Sequence, residues 1–356
     1  LKFSSHDTAP YRLSRRTVKR ILRETAAFTL DTSPAAAYPP LMNSPPLIRW
    51  GLVGAGDVCE KKSGPPLWQL PGHQLVAVHR RDAARGQGFA RRHGPSRYAA
   101  SLDELLADPE INAVYVATPA DLHASQTLAA LRAGKHVLVE KPMATDTAAC
   151  DDMVRAAREA HRLLGVAYYR RAYPSILRAK AHLEAGDLGD LHEIHFNGQF
   201  PPSHRLDLLH FLAGPLARAR IQSSPEGAVL KGQTSSGALL SMPLGWREIA
   251  GAPEQVTLIG SNATLRITDL KAGCIEGTFP EQLPGLPWTH WGLIENFGFA
   301  IQGTAPLACS GEEGRKSTVI LDWISTLSPD APWQNINYAA PPPLNRQQAA
   351  QYHLLG

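Results

Sequence analysis

The chain has 356 residues and a net charge of +4, from 36 Lys and Arg against 32 Asp and Glu, with 44% hydrophobic and 19% charged residues. Such totals suit about two globular domains. They argue against a nucleic-acid partner, because the basic excess is small and dispersed, and against a membrane role, because no apolar run reaches the roughly 18 residues of a spanning helix.

Residues 1–46 differ in composition from the rest of the chain. They carry SRRTVKRILR (Ser14 to Arg23) and then a Pro and Ala rich stretch, which together predict a disordered or loosely helical extension. The twin arginines Arg15 and Arg16 resemble the start of an export signal. However, Arg23, Glu24 and Asp31 interrupt the segment where an apolar h-region would stand, which favours a cytoplasmic protein. Met42, just before the first strand, reads as an alternative start.

From residue 47 to 168, short apolar runs alternate with amphipathic stretches. IRWGLVG, QLVAVHR, AVYVAT, HVLVE and LGVAY have strand length and β-branched content, and LDELLADPE, DLHASQTLAALRAG and TDTAACDDMVRAAREAHR lie between them. In the last of these, Ala149, Met153, Ala157 and Ala160 fall at helical spacing after Thr145 or Asp146 as N-cap. The pattern predicts an α/β fold, a doubly wound parallel sheet with helices on both faces. Residues 169–330 shift to longer alternating strands with a few helices, which predicts a second α+β domain with a largely antiparallel, open-faced sheet. Residues 331–356 are Pro and Gln rich and read as a tail.

Within the first domain, Gly54 and Gly56 directly follow the first strand. The first permits a tight turn and the second a close approach to a pyrophosphate, with Asp57 and Val58 opening the helix whose amides hold the anion. Cys59 stands where a third glycine would allow helix and strand to pack. At the end of the second strand an acidic residue would bind the ribose of NAD, but the chain has His79, Arg80 and Arg81. Arginine suits the additional phosphate of NADP, so NADP is expected ahead of NAD.

The cysteines Cys59, Cys150, Cys274 and Cys309 form no C-x-x-C pair, which predicts free thiols in a reducing compartment. No metal is expected. His192 and His195, three apart on a strand, point to opposite faces.

ATPADLHA (Ala117 to Ala124) and AGKHVLVEKPMA (Ala133 to Ala144) resemble the Gfo/Idh/MocA family of nicotinamide-dependent oxidoreductases. VAYYRRAYP, SHRLDLLHFLAG, IGSNATLRI and SGEEGRKS extend the similarity to about Leu327. The resemblance implies a dehydrogenase or reductase that interconverts alcohol and carbonyl on a sugar, cyclitol or related polyol. It also implies cofactor contacts from Thr118, Pro119, His123, Glu140, Lys141 and Tyr169, and a cis bond between Lys141 and Pro142; His123 would touch cofactor or substrate in the family manner and reads equally as a cap of its helix. Lys141 would lie near the nicotinamide and the substrate oxygen, and a like-charged ring and partial burial would lower its pKa.

His204 and Asp207 match the H-x-x-D part of the family segment D-x-G-x-H-x-x-D. In that role His204 removes the hydroxyl proton, Lys141 relays or stabilises charge, and Asp207 orients the imidazole or helps order a polyol. The same residues also read structurally, with Ser203 as a cap, Asp207 in the first turn and His204 bordering the core. Arg170 and Arg171 are expected to line the cleft, with Lys141 and His204, as substrate-binding residues. By resemblance the protein would form a dimer or tetramer through the open face of its second sheet.

The chain departs from the family before His204. Phe200 takes the place of the pattern's aspartate, and the longer loop that precedes it in relatives is missing. The alternative reading is therefore a catalytically idle dinucleotide-binding protein.

Overall fold

The computed structural model describes residues 48–93, 96–225, 227–245 and 251–351. The expected N-terminal extension, with its twin arginines, lies outside them. Six strands, β1 (Ile48–Val53), β2 (His73–His79), β3 (Arg97–Ala99), β4 (Ala113–Val116), β5 (His136–Val139) and β6 (Leu164–Val166), form a parallel sheet in the order β3-β2-β1-β4-β5-β6. This is the doubly wound order, whose direction reverses between β1 and β4. Ligands of such sheets bind beyond the carboxyl ends of the strands at that switch point.

Period-two alternation divides the strands between two cores. Leu52, Tyr115 and Leu138 join the core shared with the second domain, whereas Val53, Val114, Val116, Val137 and Val139 face the opposite helical layer. Caps define the helices locally. Asp82 accepts from Arg85 N at 3.0 Å, Ser101 from Glu104 N at 3.0 Å, and Asp146, rather than Thr145, from Ala149 N at 2.9 Å.

A nine-stranded sheet builds the second domain from β7 (Leu191–Asn197), β8 (Leu216–Ser224), β9 (Gly227–Thr234), β10 (Leu239–Pro243), β11 (Gln255–Gly260), β12 (Thr264–Asp269), β13 (Cys274–Gly277), β14 (Glu281–Gln282) and β15 (Gln334–Asn335). Its pairings are antiparallel except between β10 and β7. On β7, Ile194 and Phe196 enter the core and His195 lies on the other face, bonded to Glu193 at 2.7 Å. Among the described residues no helix is long and apolar enough to cross a membrane.

The helix Pro202–Ala213 is buried on nearly every side, which places Ser203, His204, Arg205, Asp207 and His210 in the interior. Pro201 precedes it and Pro202 opens it, so Ser203 is a helical residue and not its cap. The helix Gly311–Ile324 seals the two domains. Val166 N donates to Cys309 O at 3.0 Å, and Asp322 accepts from Thr147 N and Thr147 Oγ1 at 3.0 and 2.6 Å.

The stretch read as a tail is packed instead. β15 pairs with β8, Ile336 N donates to Ala217 O at 2.9 Å, and the Tyr338 hydroxyl accepts from Leu216 N at 3.0 Å. Its proline-rich composition hides these anchors, because each comes from one residue meeting an edge strand distant in sequence.

Candidate active site

A cleft of about 540 Å³ opens at the switch point between the two domains. Val58, Lys62, Thr118 and Lys141 line it from the dinucleotide-type domain, and Tyr169, Arg170, His204, Glu254 and His290 from the other side. The cradle at its edge is built as the glycine spacing predicts. Gly54 has φ +92°, and a Cβ there would lie 2.6 Å from Ala117 O. At Gly56 a Cβ would meet nothing nearer than 3.9 Å, so the backbone is open to a ligand on this side. These features fit a dinucleotide.

Gly54→Ala combines a left-handed φ, costing roughly 1–2 kcal/mol, with that clash. It is expected to lower the melting temperature and weaken NADPH binding, both followed in one thermal-shift titration.

Cys59 is fully buried and its Sγ lies 3.6 Å from Gly54 O, so a thiol does pack under the turn. Burial pushes this thiol up to about 12, only partly offset by the bond from Ser63, and leaves it a neutral packing group. The helix that starts at Cys59 is short. Gly64 N reaches back five residues to Cys59 O at 3.0 Å, and Pro65 and Pro66 come next. Asp57 is exposed and pairs with Lys61 at 3.5 Å, whereas Val58 faces the cleft. At the end of β2, Arg80 donates to Ala55 O in the cradle, and Arg81 is exposed.

Glu140 and Lys141 sit at the carboxyl end of β5. Glu140 Oε1 accepts from Tyr115 OH at 2.6 Å and bonds His290 Nε2 at 3.1 Å, while Oε2 accepts from Lys141 N at 3.1 Å. Burial alone would raise this carboxyl, but the bond and charge of His290, with Lys141 and Tyr115, hold it at about 2. Lys141, joined to Pro142 by a cis bond, is lowered below its usual value. Burial is the main cause, Glu140 opposes it, and the charges of Arg170 and Lys62 add to it.

His204 reaches the cleft with its ring edge-on to Tyr168 and Tyr169, at centroid distances of 5.5 and 5.0 Å. Burial, then the charges of Arg170, Lys141, His290 and Lys62, push it well below the usual histidine range. Its Nδ1 is buried without a hydrogen-bond partner among the described residues.

Three expected site residues serve other ends. Asp207 does not hold His204. It is fully buried against Arg171, with Nε at 2.9 and 3.0 Å and Nη2 at 2.8 Å, and Cys309 Sγ lies 3.7 Å away. Burial raises this carboxyl to about 6, against the pull of Arg171. Arg171 is thereby turned into the domain seam, donating also to Ala308 O at 3.1 Å, and does not line the cleft. His123, expected to touch cofactor or substrate, is buried with its ring nitrogens 2.8 Å from Thr118 O and Pro142 O. It ties two cleft-lining turns together from behind. Pro119 is exposed at the head of the helix Ala120–Arg132.

Lys62, Gln199, Glu254 and His290 line the cleft without having been marked in the sequence. Lys62 had a signal, since it lies four residues after Val58 on the same helical face. The other three enter from separate connections, which no local pattern links.

Residues 48–168 match the model of the Gfo/Idh/MocA oxidoreductase family, described as having an NAD-binding Rossmann fold. This domain belongs to that family. The chain is 41% identical over 128 residues to a 1,5-anhydro-D-fructose reductase of Ensifer adhaerens, covering 35% of this chain and 37% of that protein. It is 33% identical over 181 residues to an inositol 2-dehydrogenase of Acidothermus cellulolyticus, covering 46% and 53%. The chain thus spans about half or less of the length of these relatives.

The fold likeness extends further. An oxidoreductase domain protein from Kribbella flavida superposes with TM-score 0.71 over 82% of this chain and 99% of that one, at 22% identity.

Proposed function

We propose that the protein is a nicotinamide-dependent oxidoreductase that interconverts an alcohol and a carbonyl on a sugar, cyclitol or related polyol. The observation that carries this reading is the placement of Lys141 in one cleft with the cradle's Val58 and the second domain's His204. The relatives named for anhydrofructose and inositol support the substrate class. When bound, the nicotinamide supplies the hydride acceptor for the carbinol carbon.

Lys141 takes the hydroxyl proton in this scheme, because burial and the nearby charges of Arg170 and Lys62 lower its pKa and so favour the free amine. His204 is a poor proton acceptor, since protonating it would create a buried cation beside Arg170 and Lys141. It acts as a neutral hydrogen-bonding group that orients the substrate oxygen.

NADP is favoured over NAD by the guanidinium groups of Arg80 and Arg81 at the end of β2. Titration with NADPH and NADH, followed by nicotinamide fluorescence and then a polyol and sugar-ketone panel, tests both statements. Arg81→Ala is expected to weaken NADPH about tenfold and to leave NADH unchanged, because one charge-assisted bond is lost. Binding of both cofactors with equal affinity would remove the NADP preference.

Full burial of Phe200 at the aspartate's position favours the second reading, an idle dinucleotide-binding protein. Cofactor binding without turnover across the panel would support it. Association into a dimer or tetramer through the open face of the second sheet, where Leu239 is 47% exposed, belongs to the main reading and is checked by sedimentation.

A further inference from the structure

The second-domain wall of the cleft is built by two connections laid against each other. Gly198 has φ +84°, and a Cβ there would lie 1.9 Å from Pro253 O, so the turn after β7 meets the segment before β11 backbone to backbone. Gln199 N donates to Ala252 O at 3.3 Å, and Gly251 N to Gln199 Oε1 at 3.2 Å. Arg205, fully buried, clamps this turn from below through Gly198 O at 2.7 Å and through Pro243 O.

Phe200 points away from the cleft into the core, edge-on to Phe196 at 5.8 Å. It offers a substrate nothing polar. The acidic group on this wall is Glu254.

Two carboxylates line the cleft among the described residues, Glu140 and Glu254. The oxygens of Glu140 are committed to Tyr115, His290 and Lys141 N. Among the described residues the Glu254 carboxylate is engaged by Arg170, through Nε to Oε2 at 2.8 Å and Nη2 to Oε1. A carboxylate has about four acceptor sites, so each oxygen keeps capacity for a further donor. The geometry is also fixed. Leu270 N holds Glu254 O at 3.0 Å, and the Arg170 guanidinium lies over the rings of Tyr169 and Phe200 at 4.6 and 4.9 Å. The Glu254 side chain remains 21% exposed, toward the cleft it lines.

We propose that Glu254 is the substrate-hydroxyl acceptor of this cleft and sets its specificity, taking the part that the residue at position 200 cannot. The inference rests on the polyol reading above. A carboxylate held by a bidentate arginine accepts hydrogen bonds from substrate hydroxyls without moving, and it disfavours a substrate with an anionic group at the same position.

The test uses the full chain saturated with NADPH. Binding of inositols and aldoses and of their mono-deoxy analogues is measured by saturation-transfer NMR for wild type, Glu254→Gln and Glu254→Ala. Removing the contacted hydroxyl is expected to weaken binding to wild type about tenfold or more, with a much smaller penalty in both variants. The glutamine variant keeps the shape and an oxygen toward Arg170, so it remains informative if the alanine variant does not fold. Equal deoxy penalties in wild type and Glu254→Gln overturn the role of Glu254 and leave the polyol reading intact. No polyol binding to NADPH-loaded wild type overturns both.

Discussion

Replacing Lys141 with alanine is expected to cut turnover about a thousandfold while NADPH affinity stays close to that of wild type. Backbone groups and the cradle at Gly54 and Gly56 bind the dinucleotide in this scheme, so removing one amine at the far end of the cleft costs little binding. The proton has no comparable substitute, since His204 is held neutral by burial and by the cations around it.

The pH profile separates this role from simple packing. Oxidation needs the free amine, so kcat/KM in that direction should rise with pH and level off below the ordinary lysine value of 10.5, because burial lowers Lys141. Lys141→Ala should lose that ascending limb. A variant that kept wild-type turnover, or the same limb, would move the proton transfer to another group.

Asp207→Ala is expected to act on stability and not on the chemistry. The variant leaves the Arg171 charge buried, with Glu313 at 3.6 Å as its nearest remaining ion partner among the described residues. Breaking a buried pair in this way costs about 3–5 kcal/mol, measurable as a fall in the denaturant midpoint. Asp207→Leu with Arg171→Leu removes both charges and should recover much of the loss. Unchanged stability with lost turnover would instead restore Asp207 as the partner of His204.

Asp207 and His204 show how far spacing reaches. A separation of three residues suggested that the two side chains act together, yet the partner of each depended on what packs against their helix. Arg171 approaches from the seam on one side, and Tyr168 and Tyr169 from the cleft on the other. His123 makes the same point, because its place after the T-P turn was visible but its burial behind two carbonyls was not.

The sequence by itself determined the doubly wound sheet and the cradle at Gly54 and Gly56, because each depends on local periodicity or on backbone freedom within a few residues, whereas the E-K-P turn was legible through the family resemblance. It also located Arg80, Arg81 and Lys141 at strand ends, where connections gather at the carboxyl edge of a parallel sheet. Only the tertiary structure decided how Glu140 is charged, which carboxylate faces the cleft, and what the residues after 330 do. Those outcomes arise where Tyr115 and His290 meet Glu140, Arg170 meets Glu254, and Tyr338 meets Leu216, each pair within hydrogen-bond distance across long stretches of chain. Burial and charge then act on whatever the fold brings together, and neither leaves a periodic trace in the sequence.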